Sequence, residues 1–313
     1  MILFPMIALI LLCVIMGFSI YAYRTAFYSS PRERGKLLEL PKNENYDASA
    51  SAKLYQEMKA VPFEEVYITS YDGLRLFGRY YHVAEGAPLQ IQFHGYRGSG
   101  IRDFCGGNKL ARESGQNTLV VDQRAHGRSE GDMITFGIRE RYDCLAWAEY
   151  AVQRFGADTP IFLTGISMGA STVLMASDLP LPKNVVGIIA DCPYSSPDAI
   201  IRKVCGEMGF PPVLAMPFIK LGAYLFGGLR LGNLSADSSV AKSDLPILLI
   251  HGEADNFVPC EMSHKIHSAC RGRHEIHTFK DAEHGLSYLQ DTPRYEKVVR
   301  AFVSSCLDEF HRS

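Results

Sequence analysis

A serine stands between two glycines in Gly165-Ile166-Ser167-Met168-Gly169, directly after the apolar run 160–164 and before the helix-compatible stretch 170–177. A serine on such a strand-to-helix turn holds a strained backbone that presents its Oγ to a cleft, and flanking glycines leave room that a Cβ would fill. A serine hydroxyl attacks only when a base takes its proton, and that base needs an acid to fix its tautomer and stabilise its cation. His284, in Asp281-Ala282-Glu283-His284-Gly285 between the strand candidate 275–279 and the final helix, is the candidate base. Of the ten histidines, His264 and His267 fall on a surface helix, His274 and His277 flank or enter the last strand, and His126 precedes the serine in chain order. The acid is Asp255 or Glu253, both in the segment 251–259 that follows the run 247–250. Acyl transfer builds negative charge on a carbonyl oxygen, so two backbone N–H donors must already face that position. The loop His94-Gly95-Tyr96-Arg97-Gly98 and the residue after the serine supply them, which nominates the amides of Tyr96 and Met168. Arg97 reads as a structural or solvated cation and His94 as a hydrogen-bonding loop residue.

The elements that must hold these groups are short β-type runs separated by helix-length stretches. Residues 66–69 and 74–81 form a hairpin about Asp72-Gly73, and 89–93, 118–121, 161–164, 185–190, 247–250 and 275–279 are further strand candidates. Strands alternating with helices imply an α/β fold: a mostly parallel twisted sheet flanked by helices on both faces, with functional loops at the carboxyl ends of its strands. The interval 195–239 breaks the alternation, has no strand and is rich in Met, Phe and Leu. It reads as a helical cap inserted over the catalytic edge, either packing only on the core or walling an acyl pocket. Segment 122–129 (Asp122-Gln123-Arg124-Ala125-His126-Gly127-Arg128-Ser129) reads as a structural loop near the site.

Over roughly residues 65–310 these motifs resemble those of the α/β-hydrolase superfamily, especially its esterase-like and serine aminopeptidase-like branch. D-x-R-G-H-G-x-S, G-x-S-x-G, H-G-x-x-D-x-x-V-P and a late H-G occur there in the same order. The resemblance implies Ser167, Asp255 and His284 as a catalytic triad, with Asp255 preferred to Glu253, and Tyr96 and Met168 as oxyanion-hole donors. Ala125 replaces the usual glycine of the first motif, and Asp191-Cys192-Pro193-Tyr194 is similar to a segment of membrane-anchored bacterial members. The implied activity is hydrolysis of a carboxylic ester or thioester of a small acyl substrate through an acyl-enzyme. An aminopeptidase-like enzyme would need an acidic residue for the substrate amine, for which Glu207 is the candidate; a non-catalytic membrane-anchored binding protein is the alternative of another class.

Composition narrows the setting. With 313 residues and 47% hydrophobic content the chain can bury one large core, and a net charge of −2 lacks the basic footprint of nucleic-acid binding. The eight cysteines have neither zinc-site nor disulfide-scaffold spacing, although Cys192 and Cys205 could pair in an oxidising compartment. His264 and His267 have no carboxylate motif beside them, so neither a metal nor any other cofactor is expected, and no protein partner is inferable. Residues 1–22 carry no charge and match the roughly 20 residues of a membrane span. The expected organisation is a transmembrane anchor at 1–23, a juxtamembrane stalk or packing segment at 24–60 with a short helix near 49–58, and a hydrolase domain at 61–313. Arg24, Arg32, Arg34 and Lys36 follow the span, which places the catalytic domain on the cytoplasmic side. A helix that serves only as an anchor can be cut away, with residues 1–30, without loss of activity.

Overall fold

The computed structural model describes residues 3–30 and 48–312. A stretch without charge up to Tyr23 makes nearly all of α1 (Leu3–Ala26), long and apolar enough to cross a membrane. At 1.5 Å per residue its 24 residues reach roughly 36 Å, against a hydrocarbon core of roughly 30 Å. After α2 (Ala48–Ala60), β1 (Glu64–Thr69) and β2 (Arg75–Tyr81) form the expected hairpin. Its turn closes through a Ser70 N–H bond to the Leu74 carbonyl (2.8 Å), with Gly73 at φ 89°.

The chain then alternates through β3 (Leu89–Phe93), α3 (Gly100–Asp103), α4 (Cys105–Glu113), β4 (Asn117–Asp122), α5 (Glu140–Phe155), β5 (Ile161–Ile166), α6 (Met168–Ala176) and β6 (Val185–Asp191). It continues through α7 (Pro197–Glu207), α8 (Pro212–Gly227), α9 (Ala236–Val240), β7 (Ile247–Gly252), α10 (Glu261–Ala269), β8 (His274–Phe279), α11 (Ser287–Gln290) and α12 (Thr292–Phe310). Every strand candidate forms. They join one 8-stranded sheet in the order β1-β2-β4-β3-β5-β6-β7-β8, antiparallel from β1 to β4 and parallel from there on. Every residue of β3, β4, β6 and β7 is buried, as strands covered on both faces must be.

The interval 195–239 holds no strand and contains α7 and α8. Ser196 caps α7 by accepting from the Ala199 N–H beside Pro197, and Gly228 at φ 60° closes α8 in the left-handed conformation. All eight cysteines are free thiols; Cys192 is buried and Cys205 half-buried, and they are not joined.

Helix α1 continues past residue 23 to Ala26, and of the two expectations for the segment that follows, stalk or packing segment, residues 27–29 take the second: Phe27 is fully buried, the Ser29 hydroxyl donates to the Ala125 carbonyl (2.7 Å), and the Ile134 N–H donates to the Phe27 carbonyl (2.8 Å). The expected helix near 49–58 is α2; Arg32, Arg34 and Lys36 lie outside the described residues. Helix α1 also packs along α8, closely enough that a Cβ on Gly222 would lie 2.3 Å from the Ser19 carbonyl oxygen.

Candidate active site

Ser167 sits between β5 and α6 at φ 56° and ψ −116°, the strained turn that its two glycines make possible. A Cβ on Gly165 would lie 2.2 Å from the Gly169 carbonyl carbon, and one on Gly169 would lie 1.8 Å from the Phe93 carbonyl oxygen. The turn is also tied to the next strand by a Ser167 N–H bond to the Asp191 carbonyl (2.8 Å).

His284 and Asp255 reach Ser167 from two loops that brace each other. The Ala254 N–H donates to the Ala282 carbonyl (3.0 Å) and the Glu253 N–H to the Phe279 carbonyl (2.9 Å), which ties the loops after β7 and β8 together. His284 Nδ1 lies 2.7 Å from Asp255 Oδ2, and His284 Nε2 lies 2.9 Å from Ser167 Oγ. A carboxylate only accepts, so Nδ1 carries the proton and Nε2 is left to accept from the serine hydroxyl. Glu253 turns elsewhere and accepts from the Thr278 hydroxyl (2.6 Å).

Asp255 is held on every side. Its Oδ1 accepts from the N–H groups of Phe257 (2.9 Å) and Val258 (2.8 Å), and its Oδ2 also faces His251 Nε2 at 3.2 Å. Burial acts to raise its pKa, but the contacts with His251 and His284 and the Val258 N–H outweigh it and hold the carboxyl well below the usual carboxylate range. His251 is fully buried, with Nε2 2.8 Å from the Val258 carbonyl and Nδ1 2.6 Å from the Ser263 hydroxyl. Its Nε2–H tautomer suits all three partners. Cys192, Asp255 and His284 offer atoms within 4.8 Å of one another, but the oxygens and nitrogen concerned are already engaged in this network.

Met168 directly follows Ser167, and Tyr96 lines both cavities that reach Ser167. Met168 is the first residue of α6, so its N–H has no partner inside the helix, and the Tyr96 N–H has no acceptor among the described residues. Asp103 fixes their loop by accepting from the Gly95 N–H (2.8 Å). His94 bonds within the loop, its Nδ1 2.8 Å from the Gly95 carbonyl and its Nε2 accepting from the Gln123 N–H (3.1 Å). Arg97 is a structural cation. It donates to the Thr25 (3.0 Å) and Tyr28 (3.1 Å) carbonyls, while the Tyr96 hydroxyl donates to the Ala26 carbonyl (2.8 Å), so this loop caps the end of α1. Ala125, in place of glycine, takes φ 62°, which explains why glycine suits that position.

Two cavities meet at Ser167, Tyr96 and Phe257. The smaller, of about 260 Å³, reaches past His284 and Gly285 to Asp103, Asp191 and Tyr288. The larger, of about 950 Å³, runs under the cap and has no charged residue in its lining. Glu207 lines neither and pairs with Lys203 at the surface.

Sequence reasoning did not find the parts played by His251, Asp103 and α1. His251 opens one of the motifs already singled out, which was a usable signal; the other two carry none.

Comparisons with known proteins agree with this architecture. Residues 91–207 match the alpha/beta hydrolase fold family, and residues 222–305 match the dienelactone hydrolase family. The chain is 27% identical over 200 residues to "Uncharacterized protein YqkD" of Bacillus subtilis, covering 64% of this chain and 66% of that protein, just under two thirds. It is 22% identical over 211 residues to the lysophosphatidylserine lipase ABHD12 of Macaca fascicularis, covering 62% of this chain and 50% of that one. Among solved structures, the Pyrococcus furiosus esterase Pf2001 superposes with a TM-score of 0.65 at 21% identity, over 80% of this chain and 93% of its own. Its eight-stranded sheet, its strand-to-helix serine turn and these matches give the chain the α/β-hydrolase fold.

Proposed function

We propose that the protein is a serine hydrolase that cleaves a carboxylic ester with an apolar acyl group. The observation that carries this reading is the Ser167–His284–Asp255 hydrogen-bond chain standing at the end of an uncharged cavity of about 950 Å³. Ser167 Oγ attacks the ester carbonyl as His284 Nε2 takes its proton, and the N–H groups of Tyr96 and Met168 hold the oxyanion. Collapse expels the alcohol with the proton returned by His284. Water, deprotonated by the same nitrogen, then attacks the acyl-enzyme and releases the acid. Thioesters fit the same scheme.

Glu207, the acid expected to receive a peptide's amine, lines neither cavity, and the larger cavity offers no charged residue in its place, which supports ester over peptide substrates there. The relative named as a lipase and the solved esterase are in line with an ester substrate. We further read α1 as a membrane span with the domain on the cytoplasmic side, the side of its basic flank.

A fluorophosphonate probe tests the nucleophile. Wild-type protein is expected to label at Ser167 and to hydrolyse p-nitrophenyl esters in preference to aminoacyl amides. Ser167→Ala should abolish labelling and cut turnover by roughly 10⁴- to 10⁶-fold. Equal labelling and turnover in the variant would exclude this serine, and a folded protein that neither labels nor turns over would point to a ligand-binding role.

A further inference from the structure

We propose that α1 is a wall of the substrate site as well as an anchor: the acyl chain of a lipid ester lies between α1 and α8, entering from the bilayer with its carbonyl delivered to Ser167. This inference rests on the ester-hydrolase reading and adds where the acyl group binds and from which side it arrives.

The larger cavity has α1 as one of its sides. Val14, Gly17, Phe18, Tyr21, Ala22 and Thr25 line it at spacings of three and four, which is one face of a helix. Across from them stand residues of the cap, among them Met208, Phe210, Leu214 and Phe218. The two helices run side by side in the same direction, since Phe18 meets Phe218 (ring centroids 5.6 Å apart), Ser19 meets Gly222 and Tyr23 meets Phe226 (5.6 Å).

The cavity therefore has an inner and an outer end. At the inner end Ala26 is bound by Tyr96, which also lines the space around Ser167. Val14 is twelve residues back along α1, roughly 18 Å away, next to the start of α8. A straight acyl chain fits that shape, and about 950 Å³ lies at the upper end of the roughly 300–1,000 Å³ usual for small-molecule sites.

The outer end also identifies the medium from which the chain comes. Met208 is 51% exposed, Val213 81% and Leu214 66%, and α1, which packs along α8, exposes Leu11, Leu12 and Val14 as well. Exposed apolar residues on two helices packed together belong in a membrane interface. With α1 in the bilayer, the cavity opens into hydrocarbon, and an acyl chain passes from lipid to Ser167 without crossing water.

Gly17 provides a direct test, because an added Cβ there meets nothing within 4 Å. The full-length chain in phosphatidylcholine vesicles is assayed with p-nitrophenyl palmitate and p-nitrophenyl acetate. Gly17→Phe, and independently Leu214→Trp from the opposite wall, are expected to lower the palmitate-to-acetate ratio of kcat/KM by about tenfold or more. Ile20→Phe, at an exposed position outside the cavity lining, should leave that ratio unchanged. If Ser167 still labels with fluorophosphonate and the ratio is the same in all three variants, the inference fails and the hydrolase reading stands. If wild type neither labels nor hydrolyses either ester, both fall.

Discussion

Two buried carboxyls near Ser167 respond to pH in opposite directions, and their surroundings say why. Asp255 accepts from two backbone N–H groups and faces two imidazoles, so its folded pKa lies below its unfolded one. Its stabilising contribution is present above the ordinary carboxylate range and is lost only as pH falls through the depressed folded value. Asp191 is fully buried at the end of β6 and pushed up to about 6 by burial, in spite of the Tyr295 hydroxyl donated to its Oδ2 at 3.0 Å; its Oδ1 has no partner among the described residues. With the folded pKa raised above the unfolded one, the folded state binds the extra proton, so stability falls as pH rises from about 4 to about 6. Asp191→Asn should therefore stabilise the protein at pH 7 by up to about 3 kcal/mol, a gain that disappears near pH 4. Urea unfolding at the two pH values measures it, and an equal effect at both would mean that the carboxyl is not the cause. Legibility at this scale follows from chain context. Ser167, Asp255 and His284 each follow a strand and carry recognisable neighbours, whereas His251 gains its part only because the segment 252–258 folds back to set Asp255 against its ring at 3.2 Å.

At the scale of elements, the turn between β5 and α6 depends on space. A methyl at Gly169 would meet the carbonyl of Phe93 at 1.8 Å, and that carbonyl belongs to the central strand β3. Either the strand or the helix start must move, so Gly169→Ala is expected to cost about 3 kcal/mol or more. Gly107→Ala serves as a contrast: it lies inside α4, where the nearest atom to an added Cβ is a Phe104 ring carbon at 3.4 Å, and helix propensity favours alanine by about 0.5–1 kcal/mol. Denaturant midpoints of the two variants should move in opposite directions; a shared small shift would show that the turn is not packed as described. The eight strands were legible because apolar runs bounded by turn residues leave few alternatives, but their ends were not. Reading Gly165 as the start of a turn stops β5 at Thr164, yet pairing continues through Gly165 opposite Ala190 and Ile166 opposite Asp191. The cap was legible as a strandless apolar interval, with Pro197, Pro212 and Gly228 marking its helices. What α8 packs against was not, because Gly222 opposite Ser19 joins residues about two hundred positions apart.

For the whole molecule, the question is whether residues 1–30 can be removed. Their apolar composition says membrane, and a tether can be cut without consequence for a domain that merely hangs from it. The structure argues otherwise. Phe27 is 0% exposed within a cluster that includes Met133, Phe136 and Met168, and burying such a ring is worth about 1.5–3 kcal/mol. Deletion would also remove the carbonyl acceptors of the Arg97 guanidinium and of the Tyr96 hydroxyl, leaving them only their bond to each other, in the loop that carries one of the two proposed oxyanion donors. It would uncover the side of α8 on which Phe218, Gly222 and Phe226 meet α1. A protein lacking residues 1–30 is therefore expected to melt at a lower temperature, to self-associate without detergent and to lose most of its ester turnover. One lacking only residues 1–13, which leaves every α1 residue that lines the cavity, should keep its melting temperature and its turnover in detergent. Thermal melts and p-nitrophenyl ester assays of both truncations decide the point: if the longer deletion behaves like the shorter one, α1 is a tether after all.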